Sequence, residues 1–177
     1  GARDAVEPLG LSGVRVCQRE GARAGRLATS ALEVDTLWLA RRTIIGAIAR
    51  VRPSLVLQDV TVPRSALPAM VARVVKISQK HDLPIGVLAH AGDGNLHPLI
   101  LFDARQRAEL GRVKEAEREI FAAALELEGT LTGEHGIGIT KRDYLPWQLA
   151  PREMVLTRNL KALFDPQGIL NPGKILV

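Results

Sequence analysis

Side chains able to ligate a metal or move a proton gather in two short stretches of this chain: His90, Asn95 and His97 within residues 88–100, and Glu134 with His135 within residues 129–138. The first stretch, LAHAGDGNLHPLI, sets Asp93-Gly94 between two apolar runs, and that dipeptide tolerates the positive φ of a tight primed turn. A β-hairpin with Asp93 and Gly94 as its two turn residues puts Gly92 opposite Asn95, Ala91 opposite Leu96 and His90 opposite His97. Opposed residues share a face with Cβ atoms about 5 Å apart, and alternation brings Asn95 to that face too. Two imidazoles this close repel when both are protonated, which favours neutral rings, the form that binds a divalent metal. Two partly buried histidines bonded to backbone fit the same pattern, and the hairpin alone leaves that choice open.

The second stretch, GTLTGEHGIG, sets an acid and an imidazole side by side among four glycines, where backbone can approach a ligand closely. Catalytic zinc sites combine two histidines, one carboxylate and an open position. His90, His97 and Glu134 would complete such a set and leave His135 free as a base. A flexible glycine-rich linker carrying two incidental polar residues has the same composition. A metal-dependent hydrolase and a non-catalytic metal-binding or assembly module could each use the set.

These residues need elements to hold them. Residues 1–29 are poorly patterned, with Leu11 to Gln18 the one strand-like run. Ser30-Ala31-Leu32-Glu33 has the form of a capping box and opens a helix whose stripe is Val34, Leu37, Trp38, Ile45 and Ile48. Arg41 falls inside that stripe, where a buried guanidinium must find an acceptor or reach past its neighbours to water. Ser54 to Val62 reads as a strand closed by Pro63, and Leu67, Met70, Val71, Val74, Ile77 and Ser78 as one face of a helix ending at an exposed His81. Pro98 lacks an N–H, so its strand needs an edge or a bulge there. Asp103 is placed to cap a long helix reaching Glu128. Pro151 opens a last helix through Phe164, with Met154, Val155 and Leu163 on its apolar face. Asp165 to Gly168 has Pro and Gly where a type I turn wants them. This order predicts an α+β fold, a mainly antiparallel sheet with helices packed on one face in a ferredoxin-like manner.

The blocks HAGDGNLHPLILFD, GTLTGEHGIGITKRD and LFDPQGILNPGK resemble, in that order, the C-terminal region of FAD-linked 2-hydroxyacid dehydrogenases, the family of glycolate oxidase and the D-lactate and D-2-hydroxyglutarate dehydrogenases. The resemblance runs from about Trp38 to Lys174. It implies that residues 30–177 form a substrate- and metal-binding domain, truncated from a larger cap domain, whose FAD is bound mainly by a separate N-terminal domain. It further implies a divalent metal, Zn or Mn, and hydride transfer from a small 2-hydroxy acid. By residue match, Arg41 holds the substrate carboxylate, His135 takes the hydroxyl proton, Asn95 orients the substrate, and Asn171 and Lys174 face the flavin. Some relatives carry a substrate-holding lysine where this chain has Leu57. Without the flavin domain, the chain is expected to bind no FAD tightly and to form homo-oligomers through an exposed sheet edge.

A formal net charge of +5 invites a nucleic-acid partner, but the arginines are scattered and aromatic residues make up only 3%, so stacking platforms and a basic stripe are missing. No apolar run has the length of a transmembrane segment and the first residues lack a secretory pattern, which predicts a cytoplasmic protein. The single cysteine, Cys17, excludes an internal disulfide and is expected as a buried or half-buried thiol.

Overall fold

The sheet is built around one strand, β4 (Asn95–Phe102), buried at every position. In this computed structural model, which describes residues 3–176, β3 (Ile85–His90) runs antiparallel to it on one side, and β1 (Ser54–Leu57) followed by β2 (Val60–Thr61) on the other. β1 and β2 keep one register, since Leu57 pairs with Leu99 and Val60 with Leu96, so the gap at Gln58 and Asp59 lies opposite Pro98 and His97. The Gln58 N–H still donates to the Pro98 carbonyl at 2.8 Å. Proline has no N–H to return, and the ladder breaks there. Pro98 therefore needs neither the edge nor the bulge expected for it; it stays in the central strand and the neighbouring strand, predicted as one piece, is split.

The chain divides into two compact units, Gly1–Ala47 and Ile48–Val177. In the second, α3 (Leu67–His81) and α4 (Arg107–Glu126) cover one face of the sheet. Met70, Val74 and Ile77 recur at helical spacing, as do Val113, Ala116, Ile120 and Ala124, and both stripes pack on Val60, Leu96, Ile100 and Phe102. Full burial of Met70, Ile120 and Phe121 contributes roughly 1.5–3 kcal/mol each. Beyond α4, Thr130 forms one antiparallel bridge with Thr61 where a fourth strand of a split β-α-β-β-α-β unit would lie. A short helix, α5 (Leu145–Gln148), and α6 (Pro151–Phe164) follow. The α+β class with helices on one face of an antiparallel sheet is the one observed.

Several local expectations change. Asp103 does not cap α4: its carboxylate binds Arg105, its own N–H donates to Glu109 Oε2 at 2.6 Å, and Gln106 takes the N-cap position without a side-chain hydrogen bond. His81 is 12% exposed, because α4 passes beside it and Glu119 meets its Nε2 at 2.9 Å. No residue of α6 is buried, and Val155 and Leu163 point to solvent.

In the first unit, the run expected as a strand lies within α1 (Arg3–Arg19), where the helix formers Leu11, Arg15 and Gln18 of the run itself offset the β-branched Val14 and Val16. Gly1 and Ala2, also in the poorly patterned segment, lie outside the described residues. Ser30 Oγ accepts the Glu33 N–H as predicted, but the Glu33 carboxylate turns to the Thr29 N–H, 2.8 Å away, and this bond with the Thr29 hydroxyl and Arg26 holds its pKa at about 2. α2 (Ala31–Ile48) has no buried residue; its predicted stripe is largely exposed and so is Arg41. Two helices and a loop enclose too little volume to bury that stripe. Cys17 is exposed as well, contrary to expectation, because the loop that packs on α1 reaches Gly10 and Val14 through Leu27 and Gly25 and stops short of it.

Candidate metal centre

The hairpin loop has four residues, Ala91 to Gly94, so His90 pairs with Asn95 and Leu88 with His97. The expected opposition of His90 and His97 is thus displaced by two residues. Displacement by an even number preserves the face, and both imidazoles stand on the side of the sheet away from α3 and α4, with ring centroids 5.4 Å apart. Gly94, at φ +77°, is needed here: a Cβ would lie 2.1 Å from the Val62 carbonyl oxygen.

The glycine-rich stretch is a loop fastened at several points. Thr130 and Thr61 exchange two backbone hydrogen bonds. Asp59, fully buried in the gap between β1 and β2, accepts the N–H groups of Gly133, Glu134 and His135 at 2.9–3.1 Å and the Thr132 hydroxyl. Burial alone would raise the Asp59 pKa, but these donors acting together hold it well below the usual carboxylate range. Lys141, buried beside it, donates to the carbonyls of Asp59 and Leu131 and stands 3.7 Å from the Asp59 carboxylate; its own pKa is lowered by burial, against the pull of Asp59.

So held, the loop brings Glu134 Oε1 to 2.9 Å from His97 Nε2, 3.4 Å from His135 Nε2 and 4.0 Å from His90 Nε2. The His97 and His135 rings stack at 5.1 Å. Ligand atoms of His90, His97 and Glu134 all lie within 4.8 Å of one another. His97 is 7% exposed, while His90, Glu134 and His135 are each nearly half exposed. Beside them opens a cavity of about 500 Å³ lined by Thr61, His90, Asp93, Asn95, Thr130, Thr132, Gly133 and Glu134. Among the described residues, Thr61 Oγ1, Asn95 Oδ1 and His97 Nδ1 are buried polar atoms with no partner.

The structure therefore brings together His90, Asn95, His97, Glu134 and His135 from the sequence-derived set. Asn171 and Lys174 meet each other at 3.0 Å in the C-terminal segment, which is tied to the end of the loop through Ile175 N–H to the Gly138 carbonyl and Arg142 to the Gly173 carbonyl. Arg41 belongs to the other unit. Sequence reasoning missed Asp59, Lys141 and Thr132. A carboxylate amid the apolar strand SLVLQDVTV was the available signal, since a buried acid demands donors from elsewhere.

Residues 11–175 match the family model described as FAD linked oxidases, C-terminal domain. The chain belongs to this family. It is 44% identical over 160 residues to glycolate oxidase subunit GlcD of Bacillus subtilis, covering 90% of this chain and 34% of that protein. Identity is 40% over 156 residues to glycolate oxidase subunit GlcD of Escherichia coli, covering 88% and 31%, and 36% over 155 residues to D-2-hydroxyglutarate dehydrogenase of Stutzerimonas stutzeri, covering 85% and 33%. The chain thus spans about a third of the length of these curated relatives. Among the described residues, no helix is long and apolar enough to cross a membrane.

Proposed function

We propose that this chain is the substrate- and metal-holding part of a cytoplasmic FAD-dependent 2-hydroxyacid dehydrogenase or oxidase of the glycolate or D-lactate class. The observation that carries the reading is the meeting of His90, His97 and Glu134, in a chain of this family, at the mouth of a polar cavity. Donors around one ion at about 2.1 Å stand roughly 3–4 Å apart, so this set closes on Zn or Mn with shifts of under about an ångström. The unpartnered Thr61 and Asn95 oxygens on the cavity wall suit a polar ligand there.

In this reading His90, His97 and Glu134 would hold the ion, which would supply Lewis acidity toward a substrate hydroxyl. His135, beside Glu134, is placed to take the hydroxyl proton, and FAD, held mainly by the flavin domain, would supply the acceptor for the hydrogen that leaves the same carbon with its electron pair. The products balance as a 2-oxo acid, a protonated imidazole and reduced flavin. Asn95 orients the substrate from the strand that carries His97. Arg41 as the carboxylate receptor, and Asn171 with Lys174 as contacts toward the flavin domain, rest on the residue match.

The test is metal binding and turnover in the full-length protein. Titration with Mn²⁺ or Co²⁺ should show one strong site, lost in His97→Ala, and oxidation of glycolate or D-lactate should fall at least about 100-fold in the same variant. Arg41→Lys should raise KM more than it lowers kcat. Turnover of an ester or amide without flavin would replace this reading with a hydrolase, and metal binding with no turnover under any supplementation would replace it with a binding module.

A further inference from the structure

We infer that Asp59 is a positioning residue: by gathering the N–H groups of Gly133, Glu134 and His135 from its place opposite His97, its carboxylate sets where the Glu134 and His135 side chains stand. The inference rests on the reading that Glu134 and His135 work together with His90 and His97. Three consecutive N–H groups converging on one point make a concavity suited to an anion. In many proteins an outside ligand fills such a nest. Here the chain's own carboxylate does so, and the loop is thereby referenced to the strand register that also places His97.

The surroundings are built for this contact. Asp59 is fully buried, and Lys141, equally enclosed, supplies the compensating charge at 3.7 Å while pinning the Asp59 and Leu131 carbonyls. Thr132 donates its hydroxyl to Asp59 and accepts the Gly136 N–H at 2.8 Å, so the fastening brackets both functional residues. Gly133 lets the loop lie this close, since a Cβ there would stand 2.2 Å from Thr61 Oγ1 and 2.8 Å from Asn95 Cγ. Asparagine in place of Asp59 would offer one acceptor oxygen and turn an NH₂ group toward converging N–H donors. Misplacement of a catalytic group by about an ångström can cost on the order of 100-fold in rate.

The experiment compares wild type, Asp59→Asn and Thr132→Val in the full-length protein. Amide exchange at Gly133, Glu134 and His135 should quicken at least about tenfold in Asp59→Asn, with the amides of β4 unchanged. Co²⁺ affinity should fall by about 10–100-fold with a shifted absorption band, and kcat should fall with KM little changed. Thr132→Val should move every readout in the same direction by less, and it decides the matter if Asp59→Asn does not fold. Unchanged exchange at the three amides overturns the inference. So does faster exchange that leaves the cobalt band, cobalt affinity and kcat as in wild type, because Asp59 would then only tether the loop. If the wild type binds no Co²⁺, the metal reading fails, and exchange together with kcat still decides the role of Asp59.

Discussion

Two loops of the second unit are each tied down by an aspartate with a lysine beside it, and they differ in what stands around that pair. Asp59 binds N–H groups 74–76 residues away in sequence, and its partner Lys141 is 5% exposed. Asp165 binds the N–H groups of Ile169 and Leu170, four and five residues away, and its partner Lys161 is 40% exposed. The same chemistry therefore serves two purposes. At Asp165 it closes a local chain reversal whose lysine can return to water. At Asp59 it joins distant parts of the fold, and either charge left alone would be stranded in a closed interior.

The widest separation between the loops should come from deleting the carboxylates. Asp59→Ala is expected to cost about 3 kcal/mol or more in urea unfolding, because three N–H groups and a buried ammonium lose their partner. Asp165→Ala should cost clearly less. A sharper form is the pairwise cycle: Asp59→Ala with Lys141→Met should destabilise by less than the sum of the single changes, whereas Asp165→Ala with Lys161→Met should be close to additive. An additive result at Asp59 would mean that the two buried charges do not depend on each other.

A milder comparison uses amide exchange in Asp165→Asn. Protection at Ile169 and Leu170 should drop while the urea midpoint stays near wild type, the mark of a local opening. The smallest effect concerns pH. Glu117, bonded to Gln58 next to the Asp59 gap, has a pKa raised by burial, only partly offset by the Gln58 side chain. Between about 4.5 and that raised value the folded chain holds the extra proton, so stability should decline as pH rises through this window and be fully present below it. Glu117→Gln should flatten that decline in unfolding curves measured from pH 4 to 7.

Much of this arrangement could be read from residue order, and its gaps have physical reasons. The hairpin, α3 and α6 are written in local periodicity and turn chemistry. The site face survived a wrong turn length because the error was an even number of residues; a shift of one would have sent the imidazoles to opposite sides. The burial of α2 was misjudged because a stripe at helical spacing shows which side is apolar and says nothing about whether anything covers it. Asp59 escaped notice because its partners lie more than 70 residues away, and a single sequence does not encode such pairings in any local pattern.

That distance also bears on the order of events as the chain acquires its structure. The β3–β4 hairpin and its neighbour α3 are contacts between near neighbours in sequence and are expected to form early, whereas the loop cannot reach Asp59 until α4 has been laid across the sheet. The two imidazoles would then be in place before the acid arrives. Substitutions at Asp59 should accordingly speed unfolding and leave the folding rate almost untouched, so that the part of the molecule best suited to chemistry is the last to be assembled and the first to let go.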